Sequence, residues 1–189
     1  MTQSGQPLAR YAAARRIGDL VYFSGVIAVD PSTRQVIERF EQLPADVREA
    51  LGETGEMSID VFQAPALVQS WVVLDRIRQL AEQHGGTMAD VFKLVQYFTD
   101  LRDYPLYARV RRLFYPGEPP VSTVVEVSGM LPSRQVRIEV EATAHIPLPA
   151  SARLNSSLIG SACSNALMWF LNICSSAVPA GSFTITAAS

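Results

Sequence analysis

The sequence predicts an α+β domain in which two helices pack on one mixed sheet. Three observations carry this. Val136, Ile138, Val140, Ala142, Ala144 and Ile146 alternate with Arg137, Glu139, Glu141, Thr143 and His145, the period of a strand with one buried face. Leu67, Trp71, Leu74, Ile77 and Ala81 recur at three- and four-residue spacing, which is one apolar face of a helix. Segments of the two kinds follow one another in the order β, α, β, α, β, β.

Residues 19–29 (DLVYFSGVIAV) are rich in β-branched and aromatic side chains, and Asp30-Pro31-Ser32 closes them, so a strand ending in a turn is expected. Residues 42–58 are polar, with Pro44, Gly52 and Gly55, and read as a loop or a short helix. A long helix follows from Asp60 to about His84. Ser58 or Asp60 is expected to cap it, Pro65 to lie in its first turns, and Gly85-Gly86 to end it. Residues 91–98 form a short apolar run and read as a strand. Asp103 is expected to cap a second helix, with Pro105 in the first turn and Tyr107, Val110, Leu113 and Phe114 facing the core. Pro116-Gly117 and Pro119-Pro120 break that helix. Residues 122–127 and 136–146 complete the strands.

The chain has 189 residues, a formal net charge of −2 and 48% hydrophobic residues, enough for a core in one domain with an extension. Residues 1–150 hold fifteen Lys/Arg against eighteen Asp/Glu, and Arg153 is the only charge after them. Such an acidic balance argues against a nucleic-acid footprint, which needs clustered cations. Cys163 and Cys174 form no CxxC, and with only His84 and His145 beside them they offer no zinc set and no disulfide framework. The N-terminus has no apolar segment of a secretory signal. A reduced, cytoplasmic setting is expected. The domain is expected over 1–149. Residues 150–189 read as an apolar, low-charge extension outside the fold, preferred over a membrane span because Asn165, Asn172 and several serines dilute them.

No phosphate-binding loop, dinucleotide fingerprint or nucleophile elbow is present. Chemistry therefore has to come from scattered polar residues. Glu139 and Glu141 stand two apart on the polar face of the last strand. They read either as a solvated face balanced by Arg137 or as a repelling pair in which burial raises one pKa. Ser24-Gly25 inside a strand reads as a simple bulge or as a point of close backbone approach by a ligand or another chain. His84, at a helix C-terminus, and His145, at a strand end, read as structural and surface residues.

Tyr11, GDLVYFSG (18–25), GGTMADVFKLVQYFTDLRDY (85–104), PPVSTVVEV (119–127) and VRIEVEATA (136–144), in this order and spacing, resemble the RidA/YjgF family of imine deaminases over residues 8–146. The resemblance implies a chorismate-mutase-like α+β fold. It implies a homotrimer with clefts between subunits, and hydrolysis of enamines and imines to an oxo compound and ammonia without metal or cofactor. Carried over by motif, Glu139 matches the carboxylate that positions water, with Glu141 its neighbour on the strand. Tyr11 matches the cleft tyrosine, and Ser24 and Gly25 match the pair that helps fix the ligand.

One departure bears on substrate. Aligning residues 125–127 (VEV) puts Ser122 at the position of the family's strand arginine, which grips a substrate carboxylate with two prongs; a frame shifted by one puts Val121 there, and no arginine occurs between Arg112 and Arg134 in any frame. Ala108 stands where some members have a cleft asparagine. Arg137, Arg15 and Arg16 are the candidates for a substitute cation. Two readings follow. One is a hydrolase of an atypical imine, with Glu139 orienting water, Ser122 and Thr123 donating hydrogen bonds to the ligand, and Tyr11 lining the cleft. The other is a homotrimer that binds a small metabolite without turning it over. Neither involves nucleic acid or membrane.

Overall fold

The computed structural model describes residues 11–149. The extension over 150–189, with both cysteines, lies outside the described residues.

The elements in chain order are β1 (Ala14–Ile17), β2 (Leu20–Ile27), α1 (Ala45–Leu51), α2 (Met57–Gln83), β3 (Val91–Phe98), α3 (Tyr104–Phe114), β4 (Val121–Glu126) and β5 (Ile138–His145). The strands form one sheet in the order β1-β2-β5-β3-β4. Only β3 and β4 run parallel, which makes the sheet mixed, as predicted.

Alternation along β5 decides the two faces of the sheet. Ile138, Val140, Ala142 and Ala144 are buried under the helices with Val21, Phe23, Leu94 and Phe98 from β2 and β3. Burying this apolar area is the main favourable term in the fold. Glu139, Glu141, Thr143 and His145 stand on the other face, which no helix covers among the described residues. By length and composition α2 is apolar enough to cross a bilayer, but half of its most apolar stretch is buried in this core. It is the central helix of the domain.

Several local expectations need correction. The strand Ala14–Ile17 has no counterpart among the predicted elements, whereas residues 45–51 form the short helix that was one of the two readings of the polar stretch. The long helix starts at Met57 after Glu56, so neither Ser58 nor Asp60 caps it. Asp60 instead accepts hydrogen bonds from Thr54 N, Thr54 Oγ1 and Gly55 N, which orders the loop leading into the helix. These donors hold its carboxyl below the ordinary carboxylate range. Pro65 falls in the third turn rather than the first ones. Gly85, at φ +83°, does end the chain's helical course as expected. Asp103 flanks α3 without a capping bond, because its carboxylate is taken by Arg137. Leu113 is 53% exposed, while Tyr107 and Val110 do face the core.

Candidate functional site

The Ser24-Gly25 pair is a bulge. Phe23 pairs with Ala142 and Val26 with Val140, so Ser24 and Gly25 both stand opposite Glu141. The bulge is held from outside the sheet. Ser24 Oγ donates to the carbonyl of Ala12 at 2.7 Å and Ser24 N to that of Ala13 at 3.0 Å. These bonds bring Ala12 and Ala13 alongside the bulge.

Gly25 is also a point of close approach. A Cβ there would overlap a Glu139 carboxylate oxygen and come within 2.8 Å of the carboxyl carbon. The glycine leaves room for the Glu139 carboxyl to lie over the β2 backbone. The bulge reading holds, and what lies close to Gly25 is the Glu139 side chain of the same chain: the bulge shapes the strand, and the missing side chain admits the acid.

Glu139 is half-buried, and burial raises its pKa above the ordinary glutamate value, with the charge of Glu141 adding to the effect. Tyr97 of β3 pairs directly with Glu139 across the sheet. Its pKa is raised by burial first, then by Glu141 and Glu139. The uncovered face thus carries a carboxyl with enhanced proton affinity, a second carboxylate and a phenol. Tyr97 was not singled out from the sequence, where it sits inside an apolar run. Only the strand register identifies it.

Two helix residues brace this arrangement. Arg76 donates from Nη1 to the carbonyl of Ile27 and from Nη2 to that of Val29, both at 2.7 Å. Ile27 is the β2 residue that pairs with Glu139. Gln69, fully buried, accepts from Arg137 N and donates to the carbonyl of Gln135, both at 2.8 Å, fixing the entry to β5.

Ser122 and Thr123 are neighbours on β4 and so point to opposite faces. Thr123 pairs with Val95, which pairs with Glu141, and therefore shares the face of Glu139. Ser122 lies on the helix side, where its Oγ is 3.1 Å from both Oε1 and Nε2 of buried Gln96. Arg111 Nη1 of α3 approaches the same Oγ at 3.5 Å. One chain therefore brings Ser24, Gly25 and Glu139 together, with Tyr11 next in sequence to the Ala12 carbonyl that Ser24 holds, and sets Ser122 on the opposite side of the sheet from Glu139.

None of the three arginines expected to stand in at the Ser122 position is near it. Arg137 makes a two-pronged ion pair with Asp103, at 2.8 Å and 2.9 Å, and does not balance Glu139. Arg16 donates to the carbonyls of His84 and Ile146, both at 2.7 Å. Arg15 pairs with Tyr22 in β1, at the sheet edge farthest from β4. His84 is structural, its Nδ1 2.8 Å from the carbonyl of Leu80 and its ring edge-on to Phe23. Among the described residues no group of three His, Cys, Asp or Glu is placed to hold a metal. An open groove of about 410 Å³ between the helices is lined by Trp71, Met88, Leu113 and Phe114. Asp75 and Arg78 at its rim pair with each other, and it lies on the other side of the sheet from Glu139.

Fold and site together define a class: an α+β protein with a carboxyl group seated over a glycine bulge on an open sheet face. A family model described as Endoribonuclease L-PSP matches residues 52–146, and the chain belongs to this family, the RidA/YjgF proteins. A Klebsiella pneumoniae protein provisionally titled an endoribonuclease is 55% identical in sequence. Its structure superposes with a TM-score of 0.71, covering 72% of this chain and all of that one. The RutC family protein of Pyrococcus abyssi is 26% identical over 140 residues, 74% of this chain and 89% of its own length. The 3-aminoacrylate deaminase RutC of Acinetobacter baylyi is also 26% identical over 140 residues, 74% of this chain and 90% of its own length. RidA from the Antarctic bacterium Psychrobacter, at 23% identity and a TM-score of 0.58, shares the fold over 76% of this chain and 94% of its own.

Proposed function

We propose that this protein is a cytoplasmic, cofactor-independent hydrolase that converts reactive imines and enamines to the oxo compound and ammonia. The observation that carries this reading is the Glu139 carboxyl, seated over Gly25 with a raised pKa. As carboxylate it accepts a proton from a water molecule while the water oxygen bonds to the imine carbon. The carbinolamine that forms then loses its amine. The proton held by Glu139 passes to the nitrogen, the C–N bond breaks and ammonia leaves, and the carbinolamine hydroxyl gives its proton back to the Glu139 carboxylate as the carbonyl forms. A carboxyl whose proton affinity is raised by burial suits both transfers. Membership of the family and the deaminase named among its relatives support the reaction class.

The working unit is a homotrimer with clefts between subunits. Glu139 and Ser122 lie on opposite faces of the sheet in one chain, so a cleft that uses both draws them from two copies. Exposed Val121, Val124 and Val125 on the edge strand β4, at 63%, 37% and 37%, would be covered in such an assembly.

The test is ammonia release from imines made in situ by an amine or amino-acid oxidase, with Glu139→Ala beside the wild type. Acceleration that disappears in the variant is expected. No acceleration across aliphatic, aromatic and carboxylate-free imines, from a verified trimer, would favour metabolite binding without turnover. The ribonuclease activity in the relatives' names gains no support from composition, with fifteen Lys/Arg against eighteen Asp/Glu over residues 1–150. RNA cleavage lost on cleft substitution would reinstate it.

A further inference from the structure

Hydrolysis of a neutral imine needs two proton movements together. The water oxygen loses a proton as it bonds to carbon, and the nitrogen gains one as it takes the C=N electron pair. Glu139 as carboxylate serves the first and has no proton for the second. Tyr97 is the proton-bearing group beside it. It pairs with Glu139 on β5 and with Val125 on β4, so its ring stands on the open face between a carboxyl and hydrocarbon. Alternation along β3 agrees, since Gln96 and Phe98 on either side of it are buried on the helix face. Tyr97 is half-buried, and its hydroxyl makes no hydrogen bond among the described residues. Burial, then the charges of Glu141 and Glu139, raise its pKa, which keeps the phenol protonated at neutral pH.

Glu139 leans the other way. Its carboxyl lies over Gly25 on β2, and β5 runs between β2 and β3. Neighbouring strands are about 4.8 Å apart, so roughly 10 Å of sheet separates the carboxyl from the base of Tyr97. That width takes a water and a C=N group in a row, with a hydrogen bond of about 2.8 Å at each end and about 3 Å between water and carbon.

We propose that Tyr97 is a second catalytic residue, the acid that protonates the imine nitrogen from the side of the slot opposite Glu139. This rests on the hydrolase reading above and adds a proton donor to it. In the addition step the water oxygen bonds to the imine carbon and its proton goes to Glu139. The C=N electron pair moves to the nitrogen, which takes the Tyr97 proton, leaving a phenolate and a neutral carbinolamine. Glu139 then serves the loss of ammonia as described and ends that step protonated. Its proton passes to the phenolate, which restores both groups. A carboxylic acid is a stronger acid than a phenol, so this last transfer is downhill.

The experiment measures imine turnover in wild type, Tyr97→Phe, Tyr22→Phe and a protein with a fluorinated tyrosine at position 97. Tyr22 is an exposed phenol on the same face, paired with Thr143, and serves as the control. Tyr97→Phe keeps the ring and removes only the hydroxyl. It is expected to lower kcat by roughly 100-fold with KM nearly unchanged. Tyr22→Phe should behave as wild type. A fluorinated phenol ionises at lower pH, so that protein should lose kcat at a lower alkaline pH than wild type does. The other titratable groups on this face of the described sheet are Glu139, Glu141 and His145 on β5, Lys93 on β3, Tyr22 on β2 and Arg15 on β1. All are the same in both proteins, so a limb that moves belongs to position 97. Should Tyr97→Phe fail to fold, the fluorinated protein, which keeps the ring and the hydroxyl, decides alone. Glu139-dependent turnover that is unchanged in Tyr97→Phe would overturn the acid role and leave the hydrolase intact. A loss of kcat with an alkaline limb that stays in place would overturn it too, and would reduce Tyr97 to packing. No turnover by wild type would overturn both readings.

Discussion

At the residue scale, Gly25 and Glu139 are a matched pair. The atom that a Gly25 Cβ would strike is the end of a flexible side chain, so the backbone need not move. Gly25→Ala should therefore keep stability within about 1 kcal/mol of wild type. The displaced carboxylate should lower kcat/KM by roughly 100-fold. Thermal melts beside imine kinetics check both, and parallel losses of stability and activity would contradict the pairing. Glu139 also gives a pH signature. Its pKa is higher folded than unfolded, so the folded state binds more protons over that interval and stability falls as pH rises through it. Glu139→Gln removes that cost. It should melt higher than wild type at pH 7, and the difference should close as the pH drops to the range where wild-type Glu139 is protonated.

At the scale of elements, alternation and helical spacing made most of the sheet and both long helices legible in the sequence. Residues 91–98 and 136–146 were readable because their buried face is continuous. The short strand Ala14–Ile17 was not, because its two arginines and four-residue length give no periodic signal. Asp60 and Asp103 illustrate a different limit. Each has the chemistry of a helix cap, but tertiary partners claim them: the loop amides of Thr54 and Gly55 for one, Arg137 for the other. The Arg137–Asp103 pair ties the approach to β5 to the start of α3. Arg137→Ala leaves Asp103 buried without its cation and should destabilise the domain by roughly 1–3 kcal/mol. Chemical denaturation measures this, and Asp103→Asn/Arg137→Ala should recover part of it. An unchanged midpoint would show that the pair holds nothing.

At the scale of the molecule, the candidate site was only partly legible. Glu139, Gly25 and Ser24 stand within motifs that resemble a family, and the structure gathers them. Gln96 and Tyr97 became visible only through packing. A phenol paired across the sheet with Glu139 leaves no mark on local spacing. The opposite facing of Ser122 and Glu139 ties function to assembly. Light scattering should give three times the 20.7 kDa chain mass. A stable monomer with full activity would remove the shared cleft.

The measurement closest to the central claim is the pH–rate profile of imine hydrolysis in wild type, Glu141→Gln and Glu139→Gln. The wild-type rate should rise with pH through an ionisation above the ordinary glutamate range, as Glu139 becomes a carboxylate. Glu141→Gln removes a charge that raises this pKa, so the rise should move to lower pH. Glu139→Gln should lose the rise together with the activity. A profile that persists unchanged in both variants would show that Glu139 does not act on the water, and would contradict the account.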